Sequence, residues 1–265
     1  MEFLKIVKRR SFISEVVYIG LNIALAIAIL IAVRVTPGFI WPALVLVLLS
    51  KWRVLAVRMR FWFANIQADL VSLIVSVGYV IFLYYMNLAL IPETQILITQ
   101  LLLMFAYIVW LLFIRPQSKR KYIVFQAGLA LFVGITAIFA MTYNWFATPI
   151  VLLVWLVGYA TARHMLSSYD EDHIAFLSLA WGLVIAEIGW LAYHWTVAYR
   201  VPIADGILLP QVSLIILCIG FLAYKSYDSY YHHKKIRMND IILPLLFNIG
   251  IIALLIFAFN GVNTI

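Results

Sequence analysis

The run LVIAEIGWLAYHW at residues 183–195 places an acid, Glu187, among apolar residues, with His194 seven positions on. Three kinds of chemistry suit a carboxyl there. It can pass a proton along a path, contact a polar substrate group, or stay neutral and hydrogen-bond a neighbouring helix. An ionised carboxylate inside a membrane helix costs roughly 3 kcal/mol on insertion scales, so Glu187 demands a partner, water or a proton. On a helix His194 lies almost in line with it, about 10 Å further along at 1.5 Å per residue. A water-joined proton path would suit that spacing. His194 also sits among Trp190, Tyr193, Trp195 and Tyr199, the composition of an aromatic belt at a membrane surface.

Other polar residues fall at similar depth in neighbouring apolar runs. They are Tyr84, Tyr85 and Asn87, then Gln100, then Gln211. With Glu187 and His194, the residues Asn87, Gln100 and Gln211 form the candidate proton or substrate site, and one or two of them are expected to meet Glu187. Each alone also serves as hydrogen-bonding glue between helices. Two polar clusters admit a metal reading, SSYDEDH at 167–173 and HHKKIR at 232–237. Acids at a helix start are already explained by the helix dipole, and a basic run by attraction to anionic lipid, so no metal or cofactor is expected. The single cysteine, Cys218, excludes an internal disulfide. Phosphate-loop, dinucleotide-binding, zinc-protease and nucleophile-elbow motifs are all missing, which weighs against an enzyme.

The elements that must carry these residues follow from composition. Of the 265 residues, 66% are hydrophobic and 11% are charged, whereas a soluble domain is roughly a quarter charged. Lipid must be the solvent for most of the chain. The net charge of +8 then points to topology signals and anionic lipid headgroups, with no nucleic acid. Apolar segments run near 16–33, 36–50, 70–91, 95–114, 122–142, 145–162, 174–197, 207–224 and 241–259. Spans must be helical, because lipid offers backbone groups no partner. The fold class expected is an all-α polytopic bundle of about nine transmembrane helices. It forms one membrane domain over 1–265, with no soluble domain and with the first span retained.

With the N-terminus inside, every basic residue except Arg34 and Arg200 falls on the inner side, the bias that sets orientation. The C-terminus then faces out. The second span is the weak point, since GFIWPALVLVLLS is short; a re-entrant loop is the alternative, but it would reverse every later loop, so a full crossing from near Thr36 is expected, with the segment from Lys51 to Arg60 at the interface. Asp69 should precede the third span, and Ser168 with Glu171 has the spacing of a capping box before the seventh. In the seventh span, Ser178, Gly182 and Ala186 form a stripe of small residues for close helix packing. Glu187 lies roughly opposite that stripe, so the helix is expected to be interior, with the acid toward a polar gap. Lys119, Arg120, Lys121, Lys234 and Lys235 are the candidate contacts for anionic lipid.

Residues 186–220, with the acid-x2-Trp-Leu step at Glu187, Trp190 and Leu191, then a loop and a further apolar helix, resemble multi-spanning bacterial membrane proteins grouped only as a domain of unknown function. The resemblance implies a bacterial cytoplasmic membrane and supplies no activity or catalytic residue. Two function classes stay open. One is a transporter-like or membrane-complex subunit that handles a small or lipidic substrate near Glu187. The other is a structural or assembly protein that binds partner helices or lipids, with Glu187 as a buried contact. An enzyme acting on lipids ranks third.

Overall fold

The computed structural model describes residues 12–257 except 55, 57, 143, 195–196 and 202–203, with backbone alone for 12–13, 53, 200–201 and 204–207. The basic residues before position 11 and the tail after 257 lie outside the described residues. Among the described residues nine α-helices follow one another: α1 Phe12–Val35, α2 Trp41–Ser50, α3 Trp62–Leu88, α4 Glu93–Val109, α5 Arg120–Thr142, α6 Ala147–Leu166, α7 Ile174–Tyr193, α8 Gln211–His233 and α9 Met238–Phe257. Eight are long and apolar enough to cross a membrane, and α2, with 10 residues, is not. The chain is therefore a multi-pass helical membrane protein.

The directions of the helices can be read from side-chain contacts. Asn87 Nδ2 donates to Val33 O at 3.1 Å and Tyr79 OH to Ala26 O at 3.5 Å, so α1 and α3 run parallel. The chain between them must return. Tyr84 OH reaches Gly38 O at one end, and Lys51 Nζ reaches Asp69 at the other. The rise from Ser72 to Tyr84 along α3 is about 18 Å, against about 15 Å for a ten-residue helix. The turn at Gly38, whose φ of 85° favours glycine, and the residue Lys51 make up the difference.

Helix α4 continues into a π turn, Trp110–Ile114, closed by Arg115 N to Trp110 O at 2.9 Å. Its first residue, Glu93, lies 3.9 Å from Arg34, and Arg115 at its far end meets Asp69, so α4 is antiparallel to α3. The basic end of the bundle thus carries Lys51, Arg115, Arg120 and the α6–α7 and α8–α9 turns. The opposite end carries the α3–α4 turn and a β-hairpin.

Two apolar cores hold the bundle together. One joins α1–α4 around Ile29, Val80, Leu83 and Leu111, and the other joins α5–α8 around Ile135, Ile150, Ile185 and Ile216. The small-residue stripe of α7 packs as expected. Ser178, Gly182, Ala186 and Gly189 are buried, and a Cβ on Gly158 of α6 would lie 3.1 Å from Gly182 Cα. Helix α8 packs on α5 and α9 and only lightly on α7.

Three local expectations change. Helix α3 begins at Trp62, so Asp69 lies inside it, in a site that pairs the carboxylate with two cations. The capping box does not form, because Ser168 Oγ turns back to Met165 O and His173 precedes α7. Strands β1 (Ala198–Val201) and β2 (Ala204–Pro210) form an antiparallel hairpin where a plain loop was expected. Strand β2 rests on α3 and α5 at the far end of the bundle.

Candidate functional site

Most of the polar residues singled out in the sequence meet backbone groups of a neighbouring helix. Gln100 is fully buried; it accepts from Arg34 Nε at 2.7 Å and donates to Leu83 O at 3.2 Å. Asn87 binds the last turn of α1. Gln211 starts α8 and donates to Leu255 O of α9 at 2.6 Å and to Tyr199 OH at 2.8 Å. Carbonyls freed near helix ends need donors, and Asn87 and Gln211 supply them at Val33 and Leu255, in the last turns of α1 and α9. His194 follows α7 and makes edge contacts with the rings of Trp190 and Tyr193 at 5.1 and 5.2 Å.

Glu187 stands apart from all of them. It is exposed on the face of α7 away from α6, between Leu183, Val184, Trp190 and Leu191, which are exposed too. Among the described residues it has no hydrogen bond or ion pair, and none of the other candidates reaches it. The expected geometry holds for one face of α7 only. The acid does lie opposite the small-residue stripe, but that side of α7 is an outer surface of the chain with no polar gap.

One polar site was not anticipated. Asp69 Oδ2 receives Lys51 Nζ at 2.9 Å, Asp69 Oδ1 receives Arg115 Nη2 at 3.5 Å, and Lys51 also bonds Ser72 Oγ. Burial and then the nearby Arg115 push the Lys51 ammonium down to about 8, against the opposing pull of Asp69. Ser76 Oγ bonds Ser72 O, and Tyr107 OH donates to Ser76 Oγ at 2.9 Å. The network ties α2, α3 and α4 together at the basic end. Asp69 and the Arg115 segment were visible in sequence, but nothing local indicated that Lys51 would fold back to them.

The larger unanticipated feature is a cleft of about 670 Å³ between α5, α6, α7 and α8. Such a volume lies within the range of roughly 300–1,000 Å³ usual for small-molecule sites. Its walls are Val124, Gly128 and Leu131 of α5, Ala162 and Met165 of α6, Leu177 and Trp181 of α7, and Leu217, Gly220 and Phe221 of α8. Small residues keep it open. A Cβ on Gly128 would have its nearest neighbour at 3.9 Å, Leu217 Cδ1. The hydroxyl of Thr161 is turned back onto Val157 O and Gly158 O, which leaves the wall apolar. Phe125 and Phe221 at the edges are 53% and 42% exposed, so the cleft opens sideways, toward where lipid would lie.

Comparison with protein-family models, curated proteins and solved structures gives no match. The resemblance of residues 186–220 has no family model behind it, and the site must be read from its own chemistry.

At the basic end the cleft is rimmed by Lys121, Tyr224 and Tyr227. Lys121 begins α5 beside Arg120. The guanidinium of Arg120 lies 4.3 Å from the ring centre of Tyr169 and 5.6 Å from that of Tyr231. Lys225 Nζ lies 5.6 Å from the ring of Tyr224 and 5.9 Å from that of Phe221. Two of the acids nearby are engaged by tyrosines, Tyr227 OH donating to Glu171 at 2.5 Å and Tyr169 OH to Asp228 at 2.8 Å. The Tyr227 bond, with a backbone bond from His173, holds the Glu171 carboxyl below its ordinary value. Burial, then the bond to Asp228, keeps the Tyr169 hydroxyl protonated as a donor. Of the lipid-contact candidates, Lys121 lines the cleft and Arg120 sits beside it. Lys119 and Lys235 are exposed, and Lys234 ends α8 in a left-handed turn over Tyr231. Among the described residues no group of metal-ligating side chains forms.

Proposed function

We propose that this protein crosses the membrane nine times, N-terminus inside and C-terminus outside, and holds one lipidic molecule in the α5–α8 cleft. The setting proposed is the bacterial cytoplasmic membrane. The antiparallel return of α2 between parallel α1 and α3 supports a ninth crossing, and the basic-residue bias supports the orientation. Single cysteines in a Cys218→Ser background test it. Ser118→Cys and Lys235→Cys should label from inside, and Glu93→Cys and Asn263→Cys from outside. Labelling of 118 and 93 from the same side would overturn the topology.

The cleft carries the binding reading. An apolar, side-opening space between membrane helices has no use for a hydrated solute, because burying a polar group without a hydrogen bond is costly. A hydrocarbon chain fills it at no such cost. Handling such a molecule is the transporter-like role, now centred on α5–α8 and separate from Glu187. The test is Gly128→Phe, which should fill the cleft without a backbone clash. Lipid retained through purification in detergent, counted by native mass spectrometry, should fall at least about fivefold, the effect of losing roughly 1 kcal/mol of apolar contact. Gly250→Phe makes the matching change at an exposed position with no atom near its Cβ, and it should retain the wild-type amount. Equal retention by both variants would sink the cleft reading.

A second reading is favoured by one observation, the exposed carboxyl of Glu187 on an apolar face. A partner membrane helix that offers a cation or an amide to Glu187 would remove the cost of leaving the acid in lipid. On that reading the chain is a membrane-complex subunit as well.

A further inference from the structure

We infer that the molecule held in the cleft is a phosphate-headed lipid, with its chain between α5 and α8 and its phosphate on Lys121 and Lys225. This rests on the lipid-binding reading above and names the headgroup. Four observations carry it. First, the cleft is apolar along its length and meets charge only at the basic end, where Lys121 is part of its lining. The occupant is therefore amphipathic, with its polar end there.

Second, Lys121 lines that end, Arg120 precedes it in the chain, and Lys225 lies against the rings of Tyr224 and Phe221, which are part of the lining; none of the three has an ion pair among the described residues. Their neighbours are aromatic faces, which steady a cation and leave its charge free for an anion. Third, Glu171 and Asp228 near the rim are already engaged by tyrosine hydroxyls, and Asp170 and Asp172 beside Glu171 make no ion pair with these cations among the described residues. They do not compensate the cations by direct contact.

Fourth, the alternative zwitterionic headgroup is disfavoured. A quaternary ammonium seeks a cage of aromatic faces, and Tyr169 and Tyr231 would supply one beside Asp228. Arg120 already occupies both faces. The place a choline would take is filled by the protein's own cation, which adds positive charge and favours a phosphate.

The test uses the full chain in nanodiscs of neutral lipid, with fluorescent phosphatidic acid, phosphatidylcholine and diacylglycerol of identical chains as probes. Wild type should bind phosphatidic acid most tightly. A charge near an anionic head is worth about fivefold, so Lys121→Gln with Lys225→Gln should weaken phosphatidic acid about 25-fold and leave diacylglycerol unchanged. Arg58→Gln with Arg60→Gln removes the same charge away from the cleft and should change nothing. Gly128→Phe should weaken all three probes. If Gly128→Phe acts and the lysine pair does not, the headgroup inference is wrong and the cleft reading stands. If Gly128→Phe has no effect, the cleft reading itself fails. Displacement of bound phosphatidic acid by millimolar inorganic phosphate as effectively as by dodecyl phosphate would assign the site to a soluble anion and overturn the inference.

Discussion

Gly182→Leu should abolish the folded protein. A Cβ at position 182 would lie 3.0 Å from the backbone oxygen of Trp155 and 3.1–3.2 Å from its indole, and Gly158 faces it across the same contact. A leucine adds three further heavy atoms where backbone meets backbone. The flexible end of a side chain can move aside; a carbonyl in the middle of α6 cannot without bending the helix. Overpacking of ordinary cores costs about 1–3 kcal/mol, and this site should exceed that range, because close helix approach is what holds α6 and α7 together. Expected in detergent are loss of the monodisperse peak and of a cooperative melt. Gly182→Ala should fold with a lowered melting temperature, and Gly250→Leu should melt as wild type. A Gly182→Leu protein that melts like wild type would mean that α6 and α7 do not approach as closely as described.

Glu187→Leu should raise the melting temperature of the isolated chain. The acid is exposed among apolar side chains and has no partner among the described residues. Removing it therefore leaves nothing unpaired within the chain, unlike the truncation of a buried hydrogen-bonded acid. It also lifts an insertion cost of roughly 3 kcal/mol. The same change should dissolve any complex in which a partner helix donates to Glu187. Glu187→Gln keeps a polar group of similar shape and should preserve an amide-mediated contact while weakening a cation-mediated one. Thermal unfolding of the purified chain and native gel migration of membrane extracts read the two effects separately. A lower melting temperature for Glu187→Leu would show that the acid is structural within its own chain. An unchanged complex would exclude the partner reading.

The two substitutions probe opposite faces of one helix, and they mark how far local sequence reaches. At 100° per residue the position of Glu187 relative to Ser178 and Gly182 is settled by the chain itself, and the small side is the packed side. Composition likewise dictates helices and a lipid solvent, because a chain with 11% charged residues has too little polar surface for water. What periodicity cannot supply is the identity of the neighbour. Arg34 and Gln100 are 66 positions apart, and Lys51 and Ser72 are 21 apart, yet each pair is in hydrogen-bond contact. Nothing near either residue announces its partner. The polar residues chosen by depth alone therefore scattered among separate helix contacts, and Glu187 was left on an outer face.

The α5–α8 cleft depends on the tertiary arrangement to a still greater degree. Gly128 and Gly220 read in sequence as ordinary small residues of apolar helices. They become walls of a cavity only because α8 packs on α5 and α9 and stands off from α7. Sequence alone determined the solvent, the helices and the packed face of α7, since these follow from side-chain chemistry repeated along one chain. The tertiary structure decided which polar groups meet and where space remains, since both depend on distances between segments that the chain does not encode locally.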